Sequence, residues 1–342
     1  MGKIRSNTVC KNSKKSYKIF YLLALFSSLL LLSCDFNSKK TAIETSAKIN
    51  SLSVIIDDQL WNGEIGDTIR NKFAAPVFGL PQEEPIFTIN QFPVKLLEGF
   101  MNNARNIIVI KKETKSRYEI IENEFSKPQN VIHISGKTVL EILDTIQKNA
   151  PQIIQKIKQT EILEIQKQNQ KAVLDPKKII DKFRIKVAIP QSYKYVMRKN
   201  KFIWIKKEIT SGSNSLLIYQ IPIQDIINSN TVTNNIVKIR DSIGQLYVHG
   251  TASNTKMITE DSYSPYSSKI KIGSKIAFET KGTWEMKNDF MSGPFISYSF
   301  VDFPRNRVIV IEGFCYAPSK EKRDLMMELE AIIKSTTFLK RK

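Results

Sequence analysis

The sequence is poor in the residues that make chemistry easy to find. Its 342 residues include two histidines, His133 and His249, and three cysteines, Cys10, Cys34 and Cys315. A Ser–His–acid triad needs a histidine held by a carboxylate beside a nucleophile on a defined turn. His133 instead lies in an apolar run, and His249 sits next to Gly250 in a turn-like stretch. Metal centres need His, Cys or acidic ligands clustered at fixed spacing, and these residues are scattered. No G-x-S-x-G, G-x-x-x-x-G-K-[ST] or G-x-G-x-x-G occurs. No cofactor, metal or catalytic residue is expected on these grounds.

Acidic residues are scarce too, 33 against 52 Lys and Arg, for a formal charge of +19. The first 18 residues carry Lys3, Arg5, Lys11, Lys14, Lys15 and Lys18 and no acid. The apolar run that follows, Ile19 to Leu32, is shorter than the ~20 residues a helix needs to cross a bilayer. A basic start, a short apolar stretch and a small residue at the cut describe an export signal. Leu31-Leu32-Ser33-Cys34 resembles the lipobox of bacterial lipoproteins, which implies a diacylglyceryl group and an added acyl chain, such as palmitate, on Cys34. Two or three chains anchor stably, at ~0.8 kcal/mol per buried CH₂. The expected partner is therefore a membrane, reached through lipid on Cys34. The polar stretch from Asp35 to Leu52 reads as a tether spanning roughly 20–25 Å.

Loss of the six basic residues with the signal lowers the formal charge from +19 to +13. In an exported protein, that charge points to envelope lipid or glycan as neighbour rather than nucleic acid. A chain rich in Ile, Lys and Asn, as AT-rich coding gives, with Lys runs such as Lys111-Lys112 and Lys177-Lys178 as solvated faces, accounts for the charge more simply. Cys10 leaves with the signal and Cys34 is acylated, so Cys315 has no disulfide partner within the chain. Stability must come from a core, and residues 53–342 are enough to build one.

The patterning predicts an α+β fold. Antiparallel or mixed sheets with flanking helices form two sheet-containing units bridged by a helical segment. The expected organisation is signal 1–33, lipidated Cys and tether 34–52, N-terminal unit 53–136, helical bridge 137–183 and C-terminal unit 184–342. In the first unit, a strand at 53–56 precedes a helix at 64–73 with Ile65, Ile69 and Phe73 on one face and Asn62 as N-cap. Four prolines between Ala74 and Pro93 predict an irregular crossing, followed by a helix over 94–103 and strands at 106–111, 118–123 and 131–134. In the bridge, Pro151 marks the start of a new helix whose Gln- and Lys-rich far end is solvated. The second unit has strands at 184–189, 201–209 and 215–221 and a helix over 234–243 stopped by Gly244. Strands at 275–280, 295–301 and 307–316 follow, the last apolar on both faces and hence central. A helix capped by Ser319 carries Leu325, Leu329, Ile332 and Ile333 on one side.

Several long stretches, in order, resemble an uncharacterised Bacteroidetes lipoprotein family catalogued as a domain of unknown function. They are Trp61-Asn62-Gly63-Glu64-Ile65-Gly66-Asp67-Thr68-Ile69-Arg70, Arg240-Asp241-Ser242, Phe290-Met291-Ser292-Gly293-Pro294-Phe295, and Arg307 through Glu312-Gly313-Phe314-Cys315-Tyr316-Ala317-Pro318. The resemblance spans nearly the whole mature chain and implies a cell-envelope lipoprotein. It supplies no catalytic residue.

One acidic and aromatic constellation stands out: Trp284, Glu285, Asp289, Arg305 and Arg307, with Asp302 nearby. A glycosidase uses two carboxyls roughly 5–10 Å apart, and an arginine pair can clamp an anion; turn geometry around Gly282 and Gly293, and a hairpin edge at Asp302, explain the same residues structurally. The resulting expectation is a lipid-anchored binding or assembly factor of the envelope, placed in the outer membrane facing the periplasm, with a protein or glycan partner. The alternatives are a hydrolase of envelope glycan and a carrier for an apolar ligand.

Overall fold

The computed structural model describes Gly2 and residues 47–96, 103–227, 232–262 and 264–340. The signal segment and Cys34 lie outside these residues. Among the described residues, no helix is long and apolar enough to cross a membrane.

The first sheet is mixed, with strand order β2-β1-β3-β5-β4. Strands β1 (Ser51–Ile55), β2 (Thr88–Phe92), β3 (Asn106–Lys112) and β5 (Asn130–Gly136) run parallel, and β4 (Arg117–Glu122) is antiparallel to β5. Asn50 and Leu52 are buried, so the tether ends before residue 52. A short helix α1 (Asp58–Trp61) leads into α2 (Glu64–Phe73). The N-cap of α2 is Gly63 rather than Asn62. Ile65, Ile69 and Phe73 pack on Leu52, Val54, Ile108 and Ile132 of the sheet. The crossing after Ala74 is not irregular throughout, because β2 forms in it at the sheet edge. Edge strands tolerate nearby prolines, since one side of the ladder is unpaired. Of the helix expected over 94–103, Val94–Leu96 is a 3-10 turn, and residues 97–102 lie outside the described part.

Helix α3 (Val139–Asn169) is continuous through Pro151. Proline inside a helix costs about 3 kcal/mol or more. Ile142, Ile146, Ile153 and Ile157 nevertheless form one buried stripe across it, each contributing about 1.5–3 kcal/mol. Pro151 itself is exposed, so the carbonyl it leaves unpartnered can turn to water. Most of the Gln- and Lys-rich end of α3, from Lys167 to Lys171, is exposed as expected, while the turn before it is packed: Ile162 and Ile165 meet Met327 and Ala331 of the last helix. Gln166 also donates to the carbonyl of Ala331 (2.9 Å).

Helix α4 (Lys177–Phe183) and strand β6 (Ile185–Lys186) lead to the second sheet. That sheet is antiparallel, in the order β10-β12-β13-β14-β9-β8-β7, with β11 also on β12. Its strands are β7 (Lys194–Lys199), β8 (Phe202–Ile209), β9 (Gly212–Pro222), β10 (Lys256–Thr259), β11 (Tyr266–Ile272), β12 (Lys275–Lys287), β13 (Ser292–Asp302) and β14 (Arg307–Tyr316). Between β9 and β10 lie α5 (Gln224–Ile227) and α6 (Val232–Tyr247). As expected from its two apolar faces, β14 lies inside the sheet. Val308 and Val310 join the core that includes Ile236 of α6; Ile309 and Ile311 join the core under α7 (Arg323–Lys334). β15 (Thr337–Phe338) closes on β6.

The glycine expected to stop a helix, Gly244, and those expected in a turn, Gly282 and Gly293, lie inside regular elements instead. Gly244 lies within α6, where a Cβ would come within 2.5 Å of the Met257 carbonyl oxygen. Its function there is close approach of helix to strand. Gly293 lies in β13, where a Cβ would come within 2.1 Å of the Cys315 carbonyl oxygen. Ser319 does not cap α7, whose N-cap is Lys322. The start of α7 is held instead by Glu84, whose two carboxylate oxygens accept the N–H groups of Lys322 (2.7 Å) and Arg323 (2.8 Å). A carboxylate at a helix N-terminus satisfies unpaired donors and complements the dipole.

Candidate functional site

The constellation drawn from sequence is dispersed by the sheet. Trp284 and Glu285 lie in β12 at the end where Glu285 pairs with Ser292 of β13; Asp302, Arg305 and Arg307 lie at the other end, where Asp302 pairs with Arg307. Ten strand residues at about 3.4 Å each separate those ends by roughly 34 Å. Trp284 is buried, donates from Nε1 to the Cys315 carbonyl (3.2 Å) and packs edge-on against Phe314. It is a core residue and presents no face to a sugar. Asp289 occupies the β12–β13 turn, where its Oδ1 accepts the N–H of Phe290 (2.7 Å). Arg305 and Arg307 are engaged internally. Both donate to the buried Asp302 (3.4 and 3.1 Å), which also accepts from Lys275 (3.0 Å). Arg307 further reaches Gln220, and Arg305 the carbonyl of Leu339. Burial acts to raise the Asp302 pKa, but Lys275 and Arg307 outweigh it and leave it lowered.

The remaining sequence candidates are engaged by neighbouring groups or buried. His133 Nε2 pairs with Glu124 (2.7 Å) on a strand face, and His249 Nδ1 meets the Thr255 carbonyl (2.7 Å). Cys315 is buried, and its thiol pKa is pushed up to about 12 by burial. Among the described residues no three His, Cys, Asp or Glu side chains group to hold a metal.

The concave feature of the fold lies elsewhere. A cleft of about 820 Å³ opens between α3, α7, the 77–86 segment and the β11–β13 edge of the second sheet. Its apolar walls include Phe78, Leu80, Ile154, Leu163, Phe295 and Met326. Phe78 and Leu163 are 62% and 57% exposed, which leaves apolar surface open at this cleft. Its charged lining is Lys158 from α3, Lys271 and Lys281 from β11 and β12, and Arg323, Glu330 and Lys334 from α7.

The charges are organised. Glu279 and Tyr298 face each other across β12 and β13, and Lys281 follows two residues on, on the same face. Lys281 pairs with Glu279 (3.0 Å) and approaches Glu330 (4.0 Å), and Lys334 pairs with Glu330 (2.5 Å) one helical turn away. The Tyr298 hydroxyl donates to Glu279 and to Glu330 (3.1 Å). Burial acts to raise the Glu330 pKa, but Lys281 and Lys334 outweigh it and bring it to about 2. Burial likewise opposes the charge on Lys281, yet Glu330 and Glu279 leave its pKa raised. Lys158 differs. Burial, followed by repulsion from Lys281, lowers its pKa. The one mark of Lys158 in the sequence is its place between Ile154 and Ile162 at i±4, where a lysine interrupts an otherwise apolar stripe. The cleft therefore offers apolar walls and a cationic patch, an arrangement able to bind a ligand.

Residues 172–335 match the family model described as Domain of unknown function (DUF4837), and residues 45–170 match Domain of unknown function (DUF8532). No curated protein sequence matches the chain. Solved structures with partial similarity include the Ran-binding protein Mog1p of Saccharomyces cerevisiae, at 8% identity and TM-score 0.30 over 46% of this chain and 90% of that one. A mutant of Mog1 gives 7% and 0.29 over 46% and 91%. Human StAR-related lipid transfer protein 5 gives 7% and 0.23 over 52% and 98%. At these scores none bears on function. Residues 45–170 and 172–335 both fall within uncharacterised families, each a domain of unknown function.

Proposed function

We propose that this chain is a non-enzymatic, lipid-anchored binding protein of the cell envelope that holds a small ligand in the cleft between α3 and α7. The observation that carries the reading is the cleft itself: about 820 Å³, walled by exposed apolar side chains and lined by lysines. That volume is within the ~300–1,000 Å³ of small-molecule sites. The anchor belongs to the same reading. Acyl chains on Cys34 would hold the fold at the outer membrane, facing the periplasm, on the stretch that precedes Asn50. A glycan hydrolase gains no support from positions 284–307, because their acids and arginines lie at opposite ends of a hairpin or inside it.

Complementation of a deletion strain tests the reading. Leu163→Asp puts a charge on the exposed apolar wall and should be null in the cell while folding and accumulating as the parent does. Glu285→Gln and Asp289→Asn should both complement. A null Glu285 or Asp289 variant beside a working Leu163→Asp would overturn the proposal in favour of the hydrolase.

A further inference from the structure

The other buried cations of the described fold have partners inside it. Arg105 pairs with Glu161 (2.6 Å), Arg240 with Glu312 (3.1 Å), and Arg307 with Asp302 (3.1 Å). In the cleft, Lys281 and Lys334 are matched by Glu279 and Glu330. Lys158 has neither an ion pair nor a hydrogen-bond partner among the described residues, although it is half-buried and lines the same cleft. Of the three lysines beside Glu279 and Glu330, Lys158 is the one without an ion pair; Lys271, which also lines the cleft without an ion pair, is exposed to water. A partly desolvated ammonium without a partner is costly, and an anion beside it removes that cost. Ile154 and Ile162 flank it one turn away on α3, and Leu163 and Phe78 present open apolar surface at the same cleft. Gln155 and Gln159 add amide donors beside it.

We infer that the occupant of the cleft is an anionic amphiphile, with its acidic head on the ammonium of Lys158 and its apolar part on Leu163 and Phe78. This rests on the ligand-binding reading above and specifies its chemistry. A carboxylate or a phosphate monoester meets the requirement equally: one or two negative charges, several acceptor oxygens and a single apolar chain.

The test uses the full chain in neutral detergent, titrated by native mass spectrometry with dodecyl phosphate, dodecanol and inorganic phosphate. The variants are Lys158→Gln and Lys158→Arg, with folding checked by circular dichroism. The parent should hold dodecyl phosphate about tenfold or more tighter than dodecanol, as a charge-assisted contact provides. Inorganic phosphate alone should bind far more weakly. Lys158→Gln should abolish the preference for the charged head while leaving dodecanol binding in place, and Lys158→Arg should restore much of it. Equal affinity for the two amphiphiles, or a preference that survives Lys158→Gln, would overturn the assignment of the head to Lys158 yet leave the cleft as a ligand site. Inorganic phosphate binding as tightly as dodecyl phosphate would overturn the amphiphile and indicate a free anion. A folded parent that holds neither amphiphile would overturn both this inference and the reading on which it rests.

Discussion

Lys158 and Glu330 line one cleft and respond to it in opposite directions. Burial and neighbouring lysines disfavour the charge on Lys158, so its folded pKa lies below the unfolded one. A base shifted downward weakens the fold at pH values below its folded pKa, and the penalty fades as pH rises towards the unfolded value near 10.4. Lys158→Met should therefore raise the melting temperature at pH 7, and the gain should shrink towards pH 10 and above. A lower melting temperature at pH 7 would show that the amine is satisfied in the fold. Glu330 is the reverse case, with a folded pKa of about 2. Its contribution is complete above the unfolded pKa near 4.5 and is lost as pH falls through that value towards 2. Glu330→Gln should flatten acid unfolding in that window, at a cost on the order of 3 kcal/mol at neutral pH. Cys315, with a pKa pushed up to about 12, should resist thiol reagents until the protein is denatured. Cys315→Ala should cost about 1–2 kcal/mol. Rapid labelling of the native protein would contradict its buried position.

Elements meet where sequence periodicity alone cannot predict contact, and the junction of Glu84 with α7 is the clearest case. Glu84→Gln leaves one amide oxygen to serve two N–H groups, and should cost about 1–2 kcal/mol in urea unfolding. An unchanged midpoint would mean that water serves those N–H groups as well. Gly293→Ala should be worse, because its Cβ must displace the Cys315 carbonyl that also accepts the Trp284 indole N–H. What was legible in sequence is what local pattern encodes: the Ile65, Ile69, Phe73 face of α2, the doubly apolar β14, and the strands at 106 and 130. What was not legible depends on partners distant in sequence. Gly244 read as a helix stop and Gly293 as a turn because a close approach to Met257 or Cys315 leaves no mark nearby. The packing of Ile162 and Ile165 near the end of α3 was not legible because Met327 and Ala331, which cover them, are more than 150 residues away. The Trp284–Arg307 constellation was close in sequence, and a long hairpin drew it apart. Lys158, Lys281, Glu330 and Lys334 come from three elements, and no local pattern joins them.

At the scale of the whole molecule, the account joins an anchor to a cleft. Cys34→Ala should abolish incorporation of a labelled fatty acid and release the protein from the membrane fraction, since a polar tether has no membrane affinity of its own. Label retained on that variant would remove the anchor from the account. The cleft lies between α3 and α7, with Leu163 exposed at it. A site-specific diazirine amino acid at position 163, irradiated in living cells and analysed by mass spectrometry of the purified chain, tests that central claim most directly. The account predicts a covalent adduct with the mass of a small amphiphile, lost when Lys158→Gln is combined with it. Cross-links to another protein alone, or irradiation that leaves only water addition at position 163, would contradict a ligand-binding cleft.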